Sequence, residues 1–255
     1  MPCLLLDKGG LYKTVKFKKP VYIGDPINAV KIFNEKAVDE LIFLDITASS
    51  EKRKPDFKKI EEVASEAFMP FAYGGGISEL NDAKELFRLG VEKVILNTAA
   101  ATNHALITEI AALYGNQAVV VSVDVKKNIW GKYEVVINRG AKPIKTSVPE
   151  YCKQMEKLGA GELMLNSVDK DGTWEGYDIE LLKMVTKSVR LPVIACGGAG
   201  SVIDFSEAVS KGGASALAAG SMMVFQRKGM GVLINFPKRD ELDALFAAEI
   251  IKSVD

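Results

Sequence analysis

Glycines and small polar residues follow predicted strands at two corresponding places in the chain, and their chemistry suits phosphate. In the first place they are Gly75, Gly76, Asn97 and Thr98; in the second they are Gly197, Gly198, Gly220 and Ser221. Glycine lets backbone N–H groups come close to a phosphate, and a helix that begins there adds a favourable dipole. One glycine run alone is also typical of an ordinary turn. Two such runs, each with its own polar pair, predict two phosphate sites and a ligand with a phosphate at each end.

Aspartates also stand at the ends of predicted strands, where proton transfer would be their chemistry. Asp124 ends the fifth strand, and a carboxylate between two anion sites is a candidate general acid or base; the alternative is a structural cap. Asp45 ends the second strand and has two open interpretations, a catalytic group or a bonding partner for residues 47–49. Asp171 precedes Gly172, so we expect it to shape a loop, with contact to the ligand as the second possibility.

Short apolar runs alternate with amphipathic stretches along the chain. Near-continuous apolar runs are typical of strands in a parallel sheet that is buried on both faces. The predicted strands are 3–7, 40–46, 69–73, 92–97, 117–124, 162–166, 192–196 and 215–220, and the predicted helices are 26–36, 57–67, 79–89, 104–114, 148–158, 178–188 and 203–211. Eight strands with helices between them predict an α/β fold, a (β/α)8 TIM barrel, in which the active site lies at the carboxyl ends of the strands.

The chain also repeats itself at an offset of about 120 residues. "FMPFAYGGGIS" pairs with "RLPVIACGGAGS", "DELIFLDITAS" with "AGELMLNSVDKDG", and "GVEKVILNTAA" with "GGASALAAGSM". The repeat predicts one domain, 1–255, made of two half-barrels at about 1–115 and 116–237, with a C-terminal helix at about 238–255. Aromatic and β-branched residues on both sides of Gly131 predict a hairpin within 128–140.

The overall composition excludes several classes of function. Lys plus Arg and Asp plus Glu both number 33, so nothing indicates a nucleic-acid partner. No apolar run reaches the ~18 residues that a bilayer span needs, and the N-terminus lacks the flanks of a signal peptide. We therefore expect a cytoplasmic protein without a membrane partner.

Cysteine and histidine are too few and too scattered to build a common reactive centre. Cys3, Cys152 and Cys196 are widely spaced, which argues against disulfides and a metal site, and we interpret Cys3 and Cys196 as core thiols. The lone histidine, His104, stands near a helix start, where we expect it partly exposed, so a Ser-His-Asp or Cys-His centre has no support. We expect no metal and no other cofactor.

Three charged residues stand at the opposite, N-terminal ends of predicted strands: Glu40, Lys93 and Glu162. At the bottom face of a barrel, charges usually contribute stability rather than chemistry. A solvated rim is one interpretation of this set, and a gate at the bottom of the barrel is the other.

Taken together, the half-barrel repeat and the motifs "LDITAS", "GGGI", "LNTAA", "VSVD", "GYD" and "ACGGAG" resemble the cyclase subunit of imidazole glycerol phosphate synthase, HisF. The similarity runs from about residue 2 to about residue 235. It implies a barrel bound at its bottom face to a glutaminase (HisH-like) subunit, whose ammonia passes through the barrel. At the top, ammonia reacts with a bisphosphate ribonucleotide to give imidazole glycerol phosphate and an aminoimidazole carboxamide ribotide.

The resemblance also implies roles for particular residues. The glycine motifs would bind the two phosphates, and Asp124 would be one of two catalytic aspartates. Lys13 lies in the flexible loop that follows strand one, 8–22, at the place of a family lysine. The ammonia gate would consist of Glu40, Lys93 and Glu162.

Two features depart from the family pattern. The second catalytic aspartate belongs where this chain has Leu5, and Asp7, two residues further on the same strand face, is a possible substitute. The family gate includes an arginine shortly before Cys3, where only Met1 and Pro2 stand, so we expect the gate to lack it.

These departures resemble a divergent HisF-like branch found with bacterial surface-polysaccharide genes. In that branch the barrel and a glutaminase are thought to supply ammonia to a separate ATP-dependent sugar amidotransferase, which converts an acetamido group to an acetamidino group. This chain has no Walker-type loop of its own. Two alternatives stay open: an ordinary cyclase of histidine biosynthesis, which the intact phosphate motifs favour, and a non-catalytic barrel that activates a glutaminase and conducts ammonia.

Overall fold

A curled sheet of parallel strands forms the centre of the molecule. The computed structural model describes the backbone of residues 1–252 and the side chains of residues 1–247. The strands are β1 (Cys3–Asp7), β2 (Gly10–Val15), β3 (Lys18–Gly24), β4 (Leu41–Asp45), β5 (Phe71–Gly74), β6 (Lys93–Leu96), β7 (Val119–Lys127), β8 (Tyr133–Ile137), β9 (Lys142–Pro143), β10 (Glu162–Ser167), β11 (Val193–Cys196) and β12 (Ala216–Leu217).

Eight of these strands close into a barrel within the described part of the chain. Their order is β1-β4-β5-β6-β7-β10-β11-β12, and every pair along it is parallel. The ring closes where Pro2 bridges Ala219 and the Cys3 N–H donates to the Ala219 carbonyl at 2.9 Å. The predicted (β/α)8 barrel is therefore confirmed. The predicted last strand, 215–220, is shorter than expected, because only two of its residues pair.

Helices cover the outside of the barrel and agree with the predicted bounds to within two residues. They are α1 (Pro26–Glu35), α2 (Phe57–Glu66), α3 (Leu80–Arg88), α4 (Thr98–Thr102), α5 (His104–Tyr114), α6 (Val148–Leu158), α7 (Ile179–Thr186), α8 (Val202–Ser210), α9 (Ser221–Val224) and α10 (Arg239–Lys252), with a 3₁₀ turn at Asn116–Ala118. Local capping explains several of these starts. Ser147 and Glu150, for example, form a reciprocal capping box at α6. No described helix combines the length and the apolar character that crossing a bilayer requires.

The C-terminal helix agrees with the prediction as far as the chain is described. The predicted segment is 238–255, and α10 occupies Arg239–Lys252. Residues 253–255 lie outside the described residues.

The barrel strands are apolar on both faces because each face meets a different core. The outer faces pack against the helices. The inner faces build a smaller cluster of Cys3, Leu5, Ile42, Ala72, Ile95, Val120, Met164, Ile194 and Ala218. Met164 is completely buried in this interior cluster. This double burial produces the near-continuous apolar runs in the sequence.

Two antiparallel hairpins extend the sheet above the barrel. The predicted hairpin within 128–140 is confirmed: β8 pairs with β7, and Gly131 lies in the connecting turn. The segment 8–22, expected as a flexible loop, is instead largely strand, because β2 pairs with β1 and β3 pairs with β2. Leu11, Lys13 and Val15 would share one face of a strand, but apolar and polar residues alternate only weakly around them. The pairing of β2 with β1 therefore supplies the order that the local sequence does not.

Candidate active site at the barrel mouth

An open cavity lies at the carboxyl ends of the barrel strands. It has about 1250 Å³ of empty space, which includes the space at its mouth. Most of the residues predicted from the sequence line it: Lys13, Asp45, Gly75, Gly76, Asn97, Thr98, Asp124, Asp171, Gly197, Gly198, Gly220 and Ser221. Residues more than 200 positions apart in the chain therefore meet in one cavity.

The two glycine motifs lie on opposite sides of this cavity. We call Gly75, Gly76, Asn97 and Thr98 the first cradle, and Gly197, Gly198, Gly220 and Ser221 the second cradle. The first cradle follows β5 and β6, and the second follows β11 and β12. In the closed order of eight strands, β5 stands four places from β11 and β6 four places from β12. The cradles are therefore diametrically opposed, as the half-barrel repeat requires.

Close backbone packing makes glycine necessary in both cradles. Gly75 has φ +119°, and a Cβ atom there would collide with the Asp45 carbonyl. Gly198 has φ +115°, and a Cβ atom there would collide with the Gly176 carbonyl. Both conformations lie where side chains are rarely tolerated. The two loops consequently present bare backbone to the cavity.

Asp124 lies between the two cradles in a ring of polar side chains. Its Oδ2 accepts from Asn97 Nδ2 at 3.2 Å, and its Oδ1 accepts from Asn166 Nδ2 at 3.4 Å and Ser122 Oγ at 3.5 Å. Burial raises the pKa of Asp124 to about 7, the nearby Asp171 charge adds to the rise, and the hydrogen bonds from Asn166, Ser122 and Asn97 oppose it. A carboxyl group with a pKa near neutrality can both accept and donate a proton.

Leu5 occupies the cavity wall on the side opposite Asp124. Strand β1 stands four places from β7 in the closed order, so the two residues face each other across the barrel. The Leu5 side chain is 8% exposed and packs with the interior cluster. At Leu5 itself, the wall that faces Asp124 therefore carries an alkyl side chain.

Asp7 lies away from this position. Its Oδ1 accepts from Thr47 Oγ1 at 3.0 Å, and Asp7 is absent from the described residues that line the cavity. Two residues beyond Leu5 on the same strand, it is directed to the loop after β4 rather than to the place that Leu5 holds.

Asp45 organises that loop. Its Oδ1 accepts from the Thr47 N–H at 3.1 Å and the Ala48 N–H at 2.9 Å, which agrees with its expected bonding to residues 47–49. The Arg53 guanidinium lies against the same carboxylate at 3.3 Å. The sequence alone did not indicate Arg53, because no local pattern shows that its side chain lies against Asp45.

Lys13 enters the cavity from the β2–β3 hairpin. Although it belongs to a surface hairpin, Lys13 is only 5% exposed. Its ammonium group lies so close to Gly220 that a Cβ atom on Gly220 would collide with it. A cation therefore lies beside the second cradle.

Asp171 fastens this hairpin over the mouth. Its Oδ2 accepts from Thr14 Oγ1 at 2.9 Å and from the Phe17 N–H at 3.2 Å, and its carbonyl accepts from the Lys16 N–H at 3.0 Å. The predicted loop-shaping role of Asp171 thus extends to a distant segment. We call Thr14, Lys16, Phe17 and Asp171 the hairpin latch.

Three further polar residues that the sequence did not point out also line the cavity. Asn166 faces Asp124 from the neighbouring strand β10. Asn138 and Arg139 have φ values of 53° and 59°, and this left-handed turn after β8 brings Asn138 Oδ1 to 3.4 Å from Thr98 Oγ1. Arg139 adds an exposed guanidinium near the first cradle. Spacing alone gives no signal for them, since tertiary pairing brings them in.

The charged set at the bottom face forms a compact triad. Lys93 Nζ lies 2.9 Å from Glu40 Oε2 and 3.1 Å from Glu162 Oε1. Burial alone would lower the pKa of Lys93, but the hydrogen bonds that Lys93 donates to Glu40 and Glu162 outweigh it, so the pKa lies above its ordinary value. The lysine is held as a cation between two carboxylates beneath the interior cluster.

The remaining candidates lie as follows. Cys3 and Cys152 are buried and Cys196 is half-buried, and both Cys3 and Cys196 line the cavity. Cys196 is therefore less of a core thiol than expected, because it ends its strand at the mouth. His104 is the first residue of α5 and is exposed, as predicted.

Comparisons with known proteins agree with this architecture of a (β/α)8 barrel with its cavity at the mouth. A family model described as "Histidine biosynthesis protein" matches residues 1–228. A Pseudomonas aeruginosa protein named "Putative imidazole glycerol phosphate synthase subunit hisF2" is 50% identical over 95% of this chain and 97% of its own length. An Alkaliphilus metalliredigens protein named "Imidazole glycerol phosphate synthase subunit HisF" is 40% identical over 87% of this chain and 88% of its own. The chain belongs to the HisF family of histidine biosynthesis proteins, as its motifs predicted.

Proposed function

We propose that the chain is an ammonia-using synthase subunit that binds a phosphorylated small molecule across the barrel mouth. The observation that carries the proposal is the position of Asp124 between two diametrically opposed cradles. A ligand with a phosphate at each end would span the mouth and present its middle to Asp124. The pKa of about 7 equips this carboxyl group for proton transfer at neutral pH.

The ammonia comes from a glutaminase (HisH-like) subunit that binds the bottom face. It enters past Glu40, Lys93 and Glu162 and moves up through the interior cluster. The interior side chains are apolar, so neutral ammonia pays a much smaller desolvation cost there than ammonium does. The path ends at the floor of the cavity, beside Leu5 and Asp124.

Leu5 makes altered chemistry the favoured form of this function. The family's cyclisation uses a second aspartate where Leu5 stands, and an alkyl side chain cannot move a proton. We therefore propose that the chain supplies ammonia for converting a sugar's acetamido group to acetamidino during surface-polysaccharide synthesis. A separate ATP-dependent sugar amidotransferase would activate the amide oxygen.

A second candidate is the ordinary cyclase of histidine biosynthesis. The intact cradles favour it, because a mere conduit has no need of two phosphate sites. It requires that Asp124 suffice, or that Asp7 assist despite its bond to Thr47. A third candidate is a non-catalytic barrel that activates its glutaminase and conducts ammonia, and it predicts no turnover of phosphate substrates.

The deciding experiment gives the purified chain an ammonium salt and the bisphosphate ribonucleotide of the histidine pathway. Ammonium replaces the glutaminase, so only barrel chemistry is measured. We expect measurable binding of the ribonucleotide without turnover. Turnover of about 1 per second or more would make the chain an ordinary cyclase.

Leu5→Asp is the informative variant, with Leu5→Asn as its matched control. The hairpin after β1 has diverged along with Leu5, so we expect Leu5→Asp alone to create little activity. Strong activity in Leu5→Asp that Leu5→Asn lacks would instead favour the histidine-pathway cyclase.

A further inference from the structure

Arg139 brings to the cavity a positive charge that no neighbouring group engages directly. The residue is exposed in the turn between β8 and β9, and it lines the cavity. Its guanidinium forms no hydrogen bond or ion pair with any of the described residues. Five N–H donors in a rigid fork are therefore left for solvent or for an anionic group of a ligand.

The turn that carries Arg139 lies against the first cradle. The preceding residue, Asn138, has its Oδ1 3.4 Å from Thr98 Oγ1, and Asn97 Oδ1 lies at the same distance from that hydroxyl. A hydroxyl group has one proton to donate, and hydrogen bonds between oxygens are usually about 2.7–2.8 Å long. Both contacts are long by this measure, so the Thr98 hydroxyl remains able to donate to a ligand beside Arg139.

The charge of Arg139 is felt on the same side of the mouth. The pKa of the Glu51 carboxyl lies below its ordinary value, mainly because of the hydrogen bond from Arg53, and the Arg139 charge adds to this effect. Glu51 belongs to the loop after β4, where Ser49 Oγ accepts from the Gly76 N–H of the first cradle at 3.4 Å. Arg53 Nε lies 2.6 Å from Glu51 Oε2, so Glu51 already has a close cation and does not hold Arg139.

The second cradle receives a cation in an equivalent way. Lys13 comes from the β2–β3 hairpin, and its ammonium group lies beside Gly220 of the second cradle. Strand β1 opens the first half-barrel and neighbours β12, and β7 opens the second half-barrel and neighbours β6. In each half, therefore, the hairpin after the first strand brings a cation toward the cradle on the adjacent strand of the other half.

We propose that Arg139 binds the phosphate in the first cradle, as the counterpart of Lys13 at the second cradle. The inference rests on the proposed function in one respect, namely that the ligand has a phosphate at each end. The two cations differ in kind. Lys13 is a buried point charge, whereas the planar guanidinium of Arg139 can contact two phosphate oxygens at once.

The test is a calorimetric titration of the intact chain and its variants with the bisphosphate ribonucleotide of the histidine pathway. Arg139→Met keeps most of the side-chain length and removes the charge, so we expect binding to weaken about tenfold or more, as the loss of charge-assisted hydrogen bonds predicts. Arg139→Lys should recover only part of this loss, because an ammonium group lacks the two-pronged geometry.

Arg190→Met is the matched control. Arg190 is also exposed, but it precedes β11 and therefore lies at the bottom face. The variant makes the same change in net charge far from the mouth, where salt screens its influence. We expect its affinity to stay within about twofold of that of the unsubstituted chain.

Combined variants locate the effect of Arg139 at one cradle. If Arg139 and Thr98 bind the same phosphate, the losses in Arg139→Met and Thr98→Val should combine to less than their product. Ser221 belongs to the opposite cradle, so the losses in Arg139→Met and Ser221→Ala should simply multiply.

Each contrary result has a distinct meaning. Undiminished binding by Arg139→Met overturns the inference and leaves the cradles and the proposed function standing. Losses that multiply in both combined variants would make Arg139 a general attractor of anions and remove it from the first cradle. An equal loss in Arg190→Met would assign the effect to net charge and overturn the inference too. No binding by the unsubstituted chain would overturn the phosphate sites, and with them both the inference and the proposed function.

Discussion

At the scale of single residues, Asp124 illustrates a conflict between stability and chemistry. The barrel buries this carboxyl group and surrounds it with three polar side chains, yet burial still dominates and lifts the pKa to about 7. The folded protein therefore holds the Asp124 proton more tightly than the unfolded chain does. Between about pH 4 and pH 7 the free energy of unfolding falls as pH rises, because the folded state binds more protons.

Asp124→Asn should accordingly stabilise the protein while removing the proposed proton-transfer group. A shift from 3.8 to about 7 corresponds to at most about 4 kcal/mol at pH above 7, reduced in practice because the cavity admits water. Urea unfolding at pH 8 should give the variant the larger free energy of unfolding, and at pH 4 the gap should nearly vanish. Glu175→Gln, at an exposed carboxylate, should change the free energy of unfolding little, as is typical of surface substitutions. A variant that is less stable at pH 8 would contradict the assigned burial cost.

Lys93 is the residue on which the bottom triad depends. Lys93→Met leaves Glu40 and Glu162 facing each other without a cation, so we expect a loss of about 2 kcal/mol in the free energy of unfolding at pH 7. Adding Glu40→Gln and Glu162→Gln to Lys93→Met should recover much of it.

The matched control for the triad is an exposed ion pair elsewhere. Glu207 lies on α8 and Lys211 directly follows the helix, with 2.7 Å between Lys211 Nζ and Glu207 Oε1. Exposed pairs of this kind contribute about 0.5 kcal/mol or less to the free energy of unfolding. Lys211→Met should therefore change stability little. An equal effect at both lysines would mean that the triad is an ordinary solvated rim, the other interpretation of these charges.

At the scale of elements, the β2–β3 hairpin depends on contacts with distant segments of the chain. Strand β3 is exposed along most of its length, so packing supplies little of its order. The hairpin latch fastens it through hydrogen bonds at Asp171. The same hairpin carries Lys13 to the second cradle, so its position governs the cation there.

Asp171→Ala should release the hairpin without unfolding the barrel. Losing a buried charge-assisted bond should speed amide hydrogen exchange in residues 10–18 about tenfold. Phosphate binding should weaken as Lys13 withdraws. Asp169→Ala is the control, because Asp169 accepts from the Lys127 N–H on the other hairpin. Unchanged exchange in residues 10–18 would show that the hairpin is held by β1 alone.

At the scale of the whole molecule, the closed ring of strands places equivalent parts of the sequence repeat on opposite sides of the barrel. Strands at equivalent places in the two halves stand four positions apart in the ring, so the cradles oppose each other. The ring stays closed because small and medium apolar side chains fill its centre. Met164 is completely buried within this cluster, whose members come from the strands of the barrel.

Met164→Ala should therefore destabilise the entire barrel rather than one element. A fully buried Met→Ala change costs about 2–5 kcal/mol, since it removes packing and leaves a cavity. Met184→Ala, at a side chain 37% exposed on α7, should cost much less. Thermal unfolding should stay a single transition in both variants. A loss at Met164 no larger than at Met184 would mean that the interior packs loosely.

The sequence by itself predicted the barrel, the half-barrel repeat, and the places of the two cradles and of Asp124 at the barrel mouth. These features rest on local patterns: apolar runs, glycines after them, and a repeat that carries both to equivalent places. The hairpin at residues 128–140 also has a local signal, Gly131 between β-branched and aromatic residues. Each of these features could be predicted without reference to residues far away in the chain.

Only the tertiary structure decided what depends on contacts between distant segments. The β2–β3 hairpin is ordered by β1 and Asp171, Arg53 returns to Asp45, and Asn166 meets Asp124 because β10 pairs with β7 in that register. The two-residue spacing of Leu5 and Asp7 predicts that they share a strand face, but the hydrogen bond from Thr47 directs Asp7 away from the cavity. The energy of such contacts depends on side chains far apart in the chain, so residue spacing carries no record of them.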